Sequence, residues 1–259
     1  MQKENYLTFQ EQKLYEVIKD TKTAFSTSEI NDLFPEFKKQ RINELLLSLK
    51  QKNKINQLRK GIYEVNTFKT NLELFKTALS IYPGYISYLS ALRYYNLIDY
   101  EPTTIFISTV NKSKELTNGS FVFKYINQKN YSDYISKEGI YVSTLEKTIF
   151  DCFNKPQYSG NYAVLTKAIY DSINQIDWNK FRNIYTKYAS FRQFQITGYL
   201  LELLKTRTSC EIPKNIVDFL NSKKKSKVKL INNNTKSIYI KEWLLQDNLG
   251  EKEILSWWF

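Results

Sequence analysis

Apolar positions recur with helical spacing through the first fifty residues and then switch to short β-rich runs. Leu14, Val17 and Ile18 predict a first helix over residues 10–20. Ser26 and Thr27 are capping residues for a second helix carrying Ile30, Leu33 and Phe34, which Pro35 ends. In the next helix Ile42, Leu45, Leu46 and Leu49 fall at i, i+3, i+4 and i+7. At about 100° per residue they form one inward stripe. The opposite face is left to Gln40, Asn43, Glu44 and Leu47, with Lys38, Lys39 and Arg41 at the N-terminal end and sides. Residues 54–58 and 62–65 are rich in β-formers, and Arg59-Lys60-Gly61 between them has the chemistry of a hairpin turn. Three helices and a hairpin in this order read as a winged helix-turn-helix that closes near Phe68.

The pattern then changes. A linking helix is expected over residues 71–80, broken by Tyr82-Pro83-Gly84, and a mostly buried helix over 85–97 from the spacing of Ile86, Leu89, Leu92 and Tyr95. Residues 103–110 and 121–126 predict a hairpin or sheet pair, with a Lys-rich segment ending in Asn118-Gly119 between them, and 140–142 a further short strand. Ser143 and Glu146 have capping-box spacing ahead of a helix over 145–153, which Pro156 stops. Amphipathic helices follow over 163–173, 178–188 and 191–204. Val228, Leu230, Ile238 and Ile240 suggest two strands or extended arms around an Asn-rich turn at 232–234. The class is α+β: an N-terminal winged helix-turn-helix (residues 1–70) followed by a larger mixed domain (71–259) with a small sheet and several helices.

Charge sharpens the first part of this picture. Between residues 37 and 63 there are eight positive side chains against Glu44 alone, a net +7, more than half of the whole chain's +12. Such a concentration suits phosphate neutralisation, and solvated faces more often mix signs. The candidate DNA-binding residues are Lys38, Lys39, Gln40, Arg41, Asn43, Leu47, Arg59 and Lys60. A plain solvated helix and hairpin, or a winged helix serving protein contacts, would carry the same pattern. A second basic run, Lys223, Lys224, Lys225, Lys227 and Lys229, is either another nucleic-acid contact or a solvated hairpin, since no aromatic residue interleaves with it in sequence.

Composition bounds the chemistry. At 259 residues, with 20 Tyr and 16 Phe, the chain has enough bulky residues for one or two globular cores. It contains no histidine, which removes the commonest general base, metal ligand and nucleophile activator. Cys152 and Cys210 lack metal-ligand spacing and read as buried free thiols. No glycine-rich phosphate loop is present, and the closest carboxylates, Glu146 with Asp151 and Asp171 with Asp177, do not compose a metal site. The first ten residues have no apolar signal-type core, and no run approaches about 18 apolar residues, so a cytoplasmic protein without cofactor, metal or enzymatic activity is expected. The terminal Trp257-Trp258-Phe259 is apolar enough to dock on the larger domain or to form a partner interface.

Several segments together resemble the AbiEi family, the antitoxin-regulators of type IV toxin–antitoxin systems. They are the hairpin end Lys60-Gly61-Ile62-Tyr63, the run Tyr85-Ile86-Ser87-Tyr88-Leu89-Ser90-Ala91-Leu92, the strand Ile105-Phe106-Ile107-Ser108-Thr109, and Val142-Ser143-Thr144-Leu145-Glu146-Lys147-Thr148-Ile149-Phe150-Asp151 followed by Pro156 and Gly160. The similarity spans residues from about 10 to about 165. The family's frequent histidine-glycine after the serine-rich helix is Tyr95-Asn96 here. The resemblance implies a regulator that binds double-stranded DNA at an operator with inverted repeats, represses its own operon, and counteracts a nucleotidyltransferase-like toxin. The competing expectations are a winged regulator with a ligand-sensing second domain and, further off, a DNA-modifying enzyme.

Overall fold

The computed structural model describes residues 6–21, 24–67, 69–233 and 235–259. Phe68, expected to close the first domain, and Asn234 of the expected Asn-rich turn lie outside these residues. The first elements are α1 (Phe9–Thr21), β1 (Ala24–Ser26), α2 (Thr27–Leu33), α3 (Lys39–Gln51), β2 (Ile55–Arg59) and β3 (Ile62–Val65). Ser26 caps α2 through a full capping box: its hydroxyl accepts from the Glu29 amide at 3.1 Å, and the Glu29 carboxylate accepts from the Ser26 amide at 2.7 Å. The α3 stripe, Ile42, Leu45, Leu46 and Leu49, is buried against Leu14, Ile18, Phe25, Ile30, Phe34 and Ile55. Leu33, placed inward by its spacing, is instead exposed, because Ile30 and Phe34 already occupy the inner positions one turn apart. Strand β1 completes an antiparallel sheet of order β1-β3-β2; three residues between two helices are too few to reveal a period in sequence.

The next elements are α4 (Asn71–Ile81), β4 (Tyr85–Ile86), α5 (Tyr88–Tyr94), β5 (Thr104–Thr109), β6 (Lys114–Asn118), β7 (Phe121–Asn127), β8 (Tyr134–Lys137), β9 (Ile140–Ser143) and α6 (Leu145–Asn154). Their strands form a mixed six-stranded sheet, β6-β7-β5-β4-β9-β8. The helix expected over 85–97 is therefore shorter: Tyr85 and Ile86 are a buried strand between β5 and β9, and the helix begins after Ser87. Strands β5 and β7 are neighbours but run parallel, and the hairpin turn at Gly119, with φ +59°, joins β6 to β7. The cap of α6 is Thr144, accepting from the Lys147 amide at 3.3 Å; Ser143, paired with Tyr134 in the sheet, cannot leave it to cap and bonds the Thr148 hydroxyl. Glu146 accepts from the Asp177 amide at 2.9 Å.

Helices α7 (Tyr162–Ser172), α8 (Trp178–Tyr188), α9 (Phe191–Arg207) and α10 (Lys214–Asn221) follow, then β10 (Val228–Lys229), β11 (Ile238–Ile240), β12 (Leu245–Asp247) and α11 (Glu251–Ile254). The two late strands do not pair with each other. Each pairs with β12, β10 parallel and β11 antiparallel. One core cluster joins α4 to the six-stranded sheet, and a larger one joins α5 to α10 and the final segment. The C-terminus docks on α7, with the Trp257 and Trp258 rings 5.1 and 5.4 Å from Tyr170 and the Trp257 indole donating to Thr166. Among the described residues no helix is long and apolar enough to cross a membrane.

Inside the larger core lies a fully buried ion pair. Lys147 Nζ donates to Asp151 Oδ1 and Oδ2 at 2.6 and 2.7 Å, one helical turn apart on α6, and both side chains are inaccessible to solvent. Gln128 donates to Asp151 at 2.8 Å, and the Tyr85 hydroxyl accepts from Lys147 at 3.3 Å. Burial outweighs these partners and pushes the Asp151 carboxyl up to about 6. Removing one charge strands the other: Lys147→Met or Asp151→Leu alone should cost about 3–5 kcal/mol in urea denaturation. The double variant should recover most of that loss, and additive destabilisation would show that the pair does not act as a unit.

Candidate nucleic-acid interface

Because the apolar stripe of α3 is consumed by the core, its other face is left to solvent, and Lys38, Lys39, Gln40, Arg41, Asn43 and Leu47 are all exposed there. Leu47 is 55 % exposed on this face. Glu44 organises the first turn, accepting from Gln40 at 3.3 Å and from Arg41 at 3.0 Å, while Arg41 also reaches Gln10 of α1 at 2.7 Å. Lys39 and Asn43 have no side-chain partner among the described residues. The face thus presents lysines at one end, two amides in its centre and an aliphatic tip.

The back of α3 is held by Glu11. This nearly buried carboxylate accepts from Lys52 at 2.7 Å, from the Thr8 amide at 2.6 Å and from the Ser48 hydroxyl. Burial opposes its charge, but Lys52, Ser48 and Thr8 together outweigh it and hold the carboxyl at about 2. Lys52 therefore belongs to the fold, and Lys50 is committed to Gln57 at 2.9 Å. The outward charge comes from Lys38, Lys39, Arg41 and the hairpin.

In that hairpin Gly61 takes φ +78°, a conformation the turn requires, and its carbonyl accepts from the Thr27 amide at 2.9 Å, fixing the turn against the start of α2. Lys60 is exposed at the tip. Arg59 does not project beside it. Its Nε donates to the Ile81 carbonyl at 2.9 Å, and its guanidinium lies 5.1 Å from the Tyr82 ring centre. Leu58 packs against the cluster of α4 and the large sheet. Glu64, which is buried, pairs with Lys69 at 3.0 Å and accepts from Asn118 at 2.9 Å. One flank of the hairpin is thereby seated on the larger sheet. No local sequence signal could have foretold this, because the partners of Arg59 and Glu64 lie 22 and 54 residues away.

The second basic run is placed elsewhere. Lys224 donates to the Glu242 carbonyl and Lys229 to the Asn233 carbonyl, while Lys225 and Lys227 lie 3.8 and 4.9 Å from the ring centres of Phe191 and Tyr239; Lys223 is exposed. The fold supplies aromatic neighbours that the sequence does not interleave, and each ring is covered by a lysine. The carboxylates considered for catalysis have structural duties: Asp171 pairs with Lys167 at 2.6 Å, and Asp177 caps α8. Among the described residues no group of three or more His, Cys, Asp or Glu side chains could hold a metal ion. Cys152 and Cys210 are buried, and burial pushes their thiols up to about 12 and about 11.

No family model matches the chain, and no curated protein matches it.

The Glu11 anchor has a definite pH signature. A carboxyl lowered from 4.5 to about 2 on folding contributes stability that is full above pH 4.5 and disappears as pH falls through about 2. Glu11→Gln should lower stability at neutral pH by about 2 kcal/mol, allowing for partial solvent screening of Lys52. In denaturant titrations at stepped pH the gap between wild type and variant should close across that acid window; a constant gap would assign the loss to packing.

Proposed function

We propose that the chain is a sequence-specific DNA-binding transcriptional regulator whose residues 1–70 act as a winged helix-turn-helix, with α3 as the reading helix and the β2–β3 hairpin as the wing. The observation that carries this reading is the exposed face of α3, where Lys38, Lys39, Gln40, Asn43 and Leu47 are all open to solvent while every apolar residue of the stripe is buried. Helices of about 10–12 Å diameter fit a major groove about 12 Å wide. In that pose Lys38, Lys39, Arg41 and Lys60 neutralise phosphates, Gln40 and Asn43 offer paired hydrogen bonds to adenine, and Leu47 meets a thymine methyl. Glu44 keeps Gln40 and Arg41 ordered before DNA arrives.

Extending the AbiEi resemblance, we place the protein as an antitoxin-type repressor of its own operon, acting on inverted repeats, with residues 71–259 contributing to neutralisation of a nucleotidyltransferase-like toxin. A second reading, a regulator whose larger part senses a small molecule, is favoured by a cavity of about 440 Å³ beside α7 and α9, where Leu230, Ile231 and Ala163 meet Arg192, Asn161 and Glu253. Effector-dependent release from DNA, without any effect on toxin-expressing cells, would select it.

In gel-shift titrations at several salt concentrations, Lys39→Ala and Lys60→Ala should weaken binding to operator and random DNA alike, each lowering the salt slope by about 0.9 for every phosphate it leaves unneutralised. Unchanged slopes in both would remove the helix and hairpin from the interface. Gln40→Ala or Asn43→Ala should cost roughly 1–3 kcal/mol on operator at one base position and little on random sequence. Equal losses on both DNAs would reduce them to backbone positioning. In cells expressing a nucleotidyltransferase-like toxin that the wild-type protein neutralises, the Lys39→Ala/Arg41→Ala variant should retain growth rescue, and failure to rescue at intact protein levels would mean that neutralisation acts through DNA.

A further inference from the structure

We infer that the junction between the β2–β3 hairpin and the large sheet is a second phosphate-binding site. A cavity of about 350 Å³ opens on the large sheet beside Tyr82, the ring that Arg59 of the hairpin reaches, and is lined by Tyr82, Thr109, Asn111, Lys112, Lys114 and Tyr125. Two cations converge on one ring: Lys114 Nζ lies 4.4 Å and the Arg59 guanidinium 5.1 Å from the Tyr82 centre. Lys112 stands on the same rim. The ring is held firmly, since Tyr82 meets Tyr125 edge-on at 5.2 Å and the Tyr125 hydroxyl donates to the Ala78 carbonyl at 2.6 Å. Lys114 is opposite Tyr125 in the β6–β7 register, which puts both on one face of the sheet.

What this cluster lacks is an anion. The carboxylates closest in the chain and the sheet are committed, Glu115 to Lys124 at 3.0 Å and Glu64 to Lys69 at 3.0 Å. Among the described residues no carboxylate lies within ion-pairing distance of Arg59, Lys112 or Lys114. A ring quadrupole contributes only about 0.5–2 kcal/mol to each cation, and the cations repel one another. A phosphate group resolves both: Arg59 uses only Nε on the Ile81 carbonyl, so its terminal nitrogens keep the planar fork that suits a phosphate oxygen pair. Asn111, on the rim, supplies a neutral polar group.

The source of that phosphate is assigned through Arg59, which reaches Tyr82 on the cavity wall and is one residue before Lys60 of the proposed DNA-facing hairpin tip: the site takes a backbone phosphate of duplex flanking the stretch read by α3. This assignment of source rests on the DNA-binding reading; the phosphate chemistry does not, and a free nucleotide would present the same group.

The test uses the full chain and a Lys112→Gln/Lys114→Gln variant, whose changes lie on exposed side chains and should leave the chain folded with a cooperative thermal melt. Salt-dependent binding to a random duplex is one arm, and calorimetric titration with inorganic phosphate and with deoxyadenosine monophosphate is the other. The variant's duplex salt slope should fall by about 0.9 for each phosphate it leaves unneutralised. If the wild type binds no duplex but binds the nucleotide in a manner the variant abolishes, the site stands, its phosphate comes from a free nucleotide, and the DNA-binding reading falls. If the wild type binds duplex and the variant keeps both the slope and any phosphate affinity, the site is wrong and the DNA-binding reading is untouched. Binding of neither probe by the wild type overturns both.

Discussion

The larger part of the fold depends on the buried pair Lys147–Asp151. Taking two charges out of water costs several kcal/mol per ion, and only complete satisfaction by neighbours offsets it. Those neighbours come from separate parts of the sheet: Gln128 directly follows β7, and Tyr85 belongs to β4. Helix α6 can therefore sit on the sheet in one way only. Tyr85 then carries the constraint outward, stacking on Tyr134 of β8 at 5.0 Å and meeting Tyr131 at 5.0 Å, so the short strand at the sheet edge inherits its position from the ion pair.

The N-terminal elements obey a different constraint. Their small core closes around the α3 stripe, and Glu11 fixes α3 to α1 from behind, which leaves the polar face of α3 free by elimination. The hairpin is not equally free. Leu58, Arg59 and Glu64 seat it on α4 and the β6–β7 hairpin, so its angle to α3 is set by residues after 70. Coupling of this kind makes the larger part a determinant of how the hairpin meets a ligand, although the candidate reading residues all lie before it.

The two basic segments show why charge count alone is a poor guide to an interface. Of the eight positive residues between 37 and 63, Lys52 is consumed by Glu11 and Lys50 by Gln57, and Arg59 is turned from the hairpin tip toward Ile81 and Tyr82. In the later run two lysines donate to backbone carbonyls and two cover aromatic rings. Lysine and arginine stems are long enough to cross to distant elements, so their heads are placed by tertiary neighbours rather than by local periodicity.

What the sequence determined by itself, to within a few residues at their ends, were α1 to α4, α6 to α9, and the strands the structure places at residues 55–59, 62–65, 104–109 and 121–127. The same periodicity identified the solvent face of α3, because assigning four residues to the core leaves the others outside. Tertiary structure alone decided β1, β4, β8 and β12, which are two to four residues each and exist as strands only through pairing. It also moved the α6 cap from Ser143 to Thr144, by holding Ser143 in the sheet. The Lys147–Asp151 spacing was visible as an ordinary i,i+4 pair, but its complete burial was not, because dielectric environment is made by chain segments remote in sequence. For the same reason the direction of Arg59, and with it the meeting of Arg59 and Lys114 on the Tyr82 ring, belongs to the folded molecule: a turn sequence sets where a side chain starts, and distant packing sets where its charge ends.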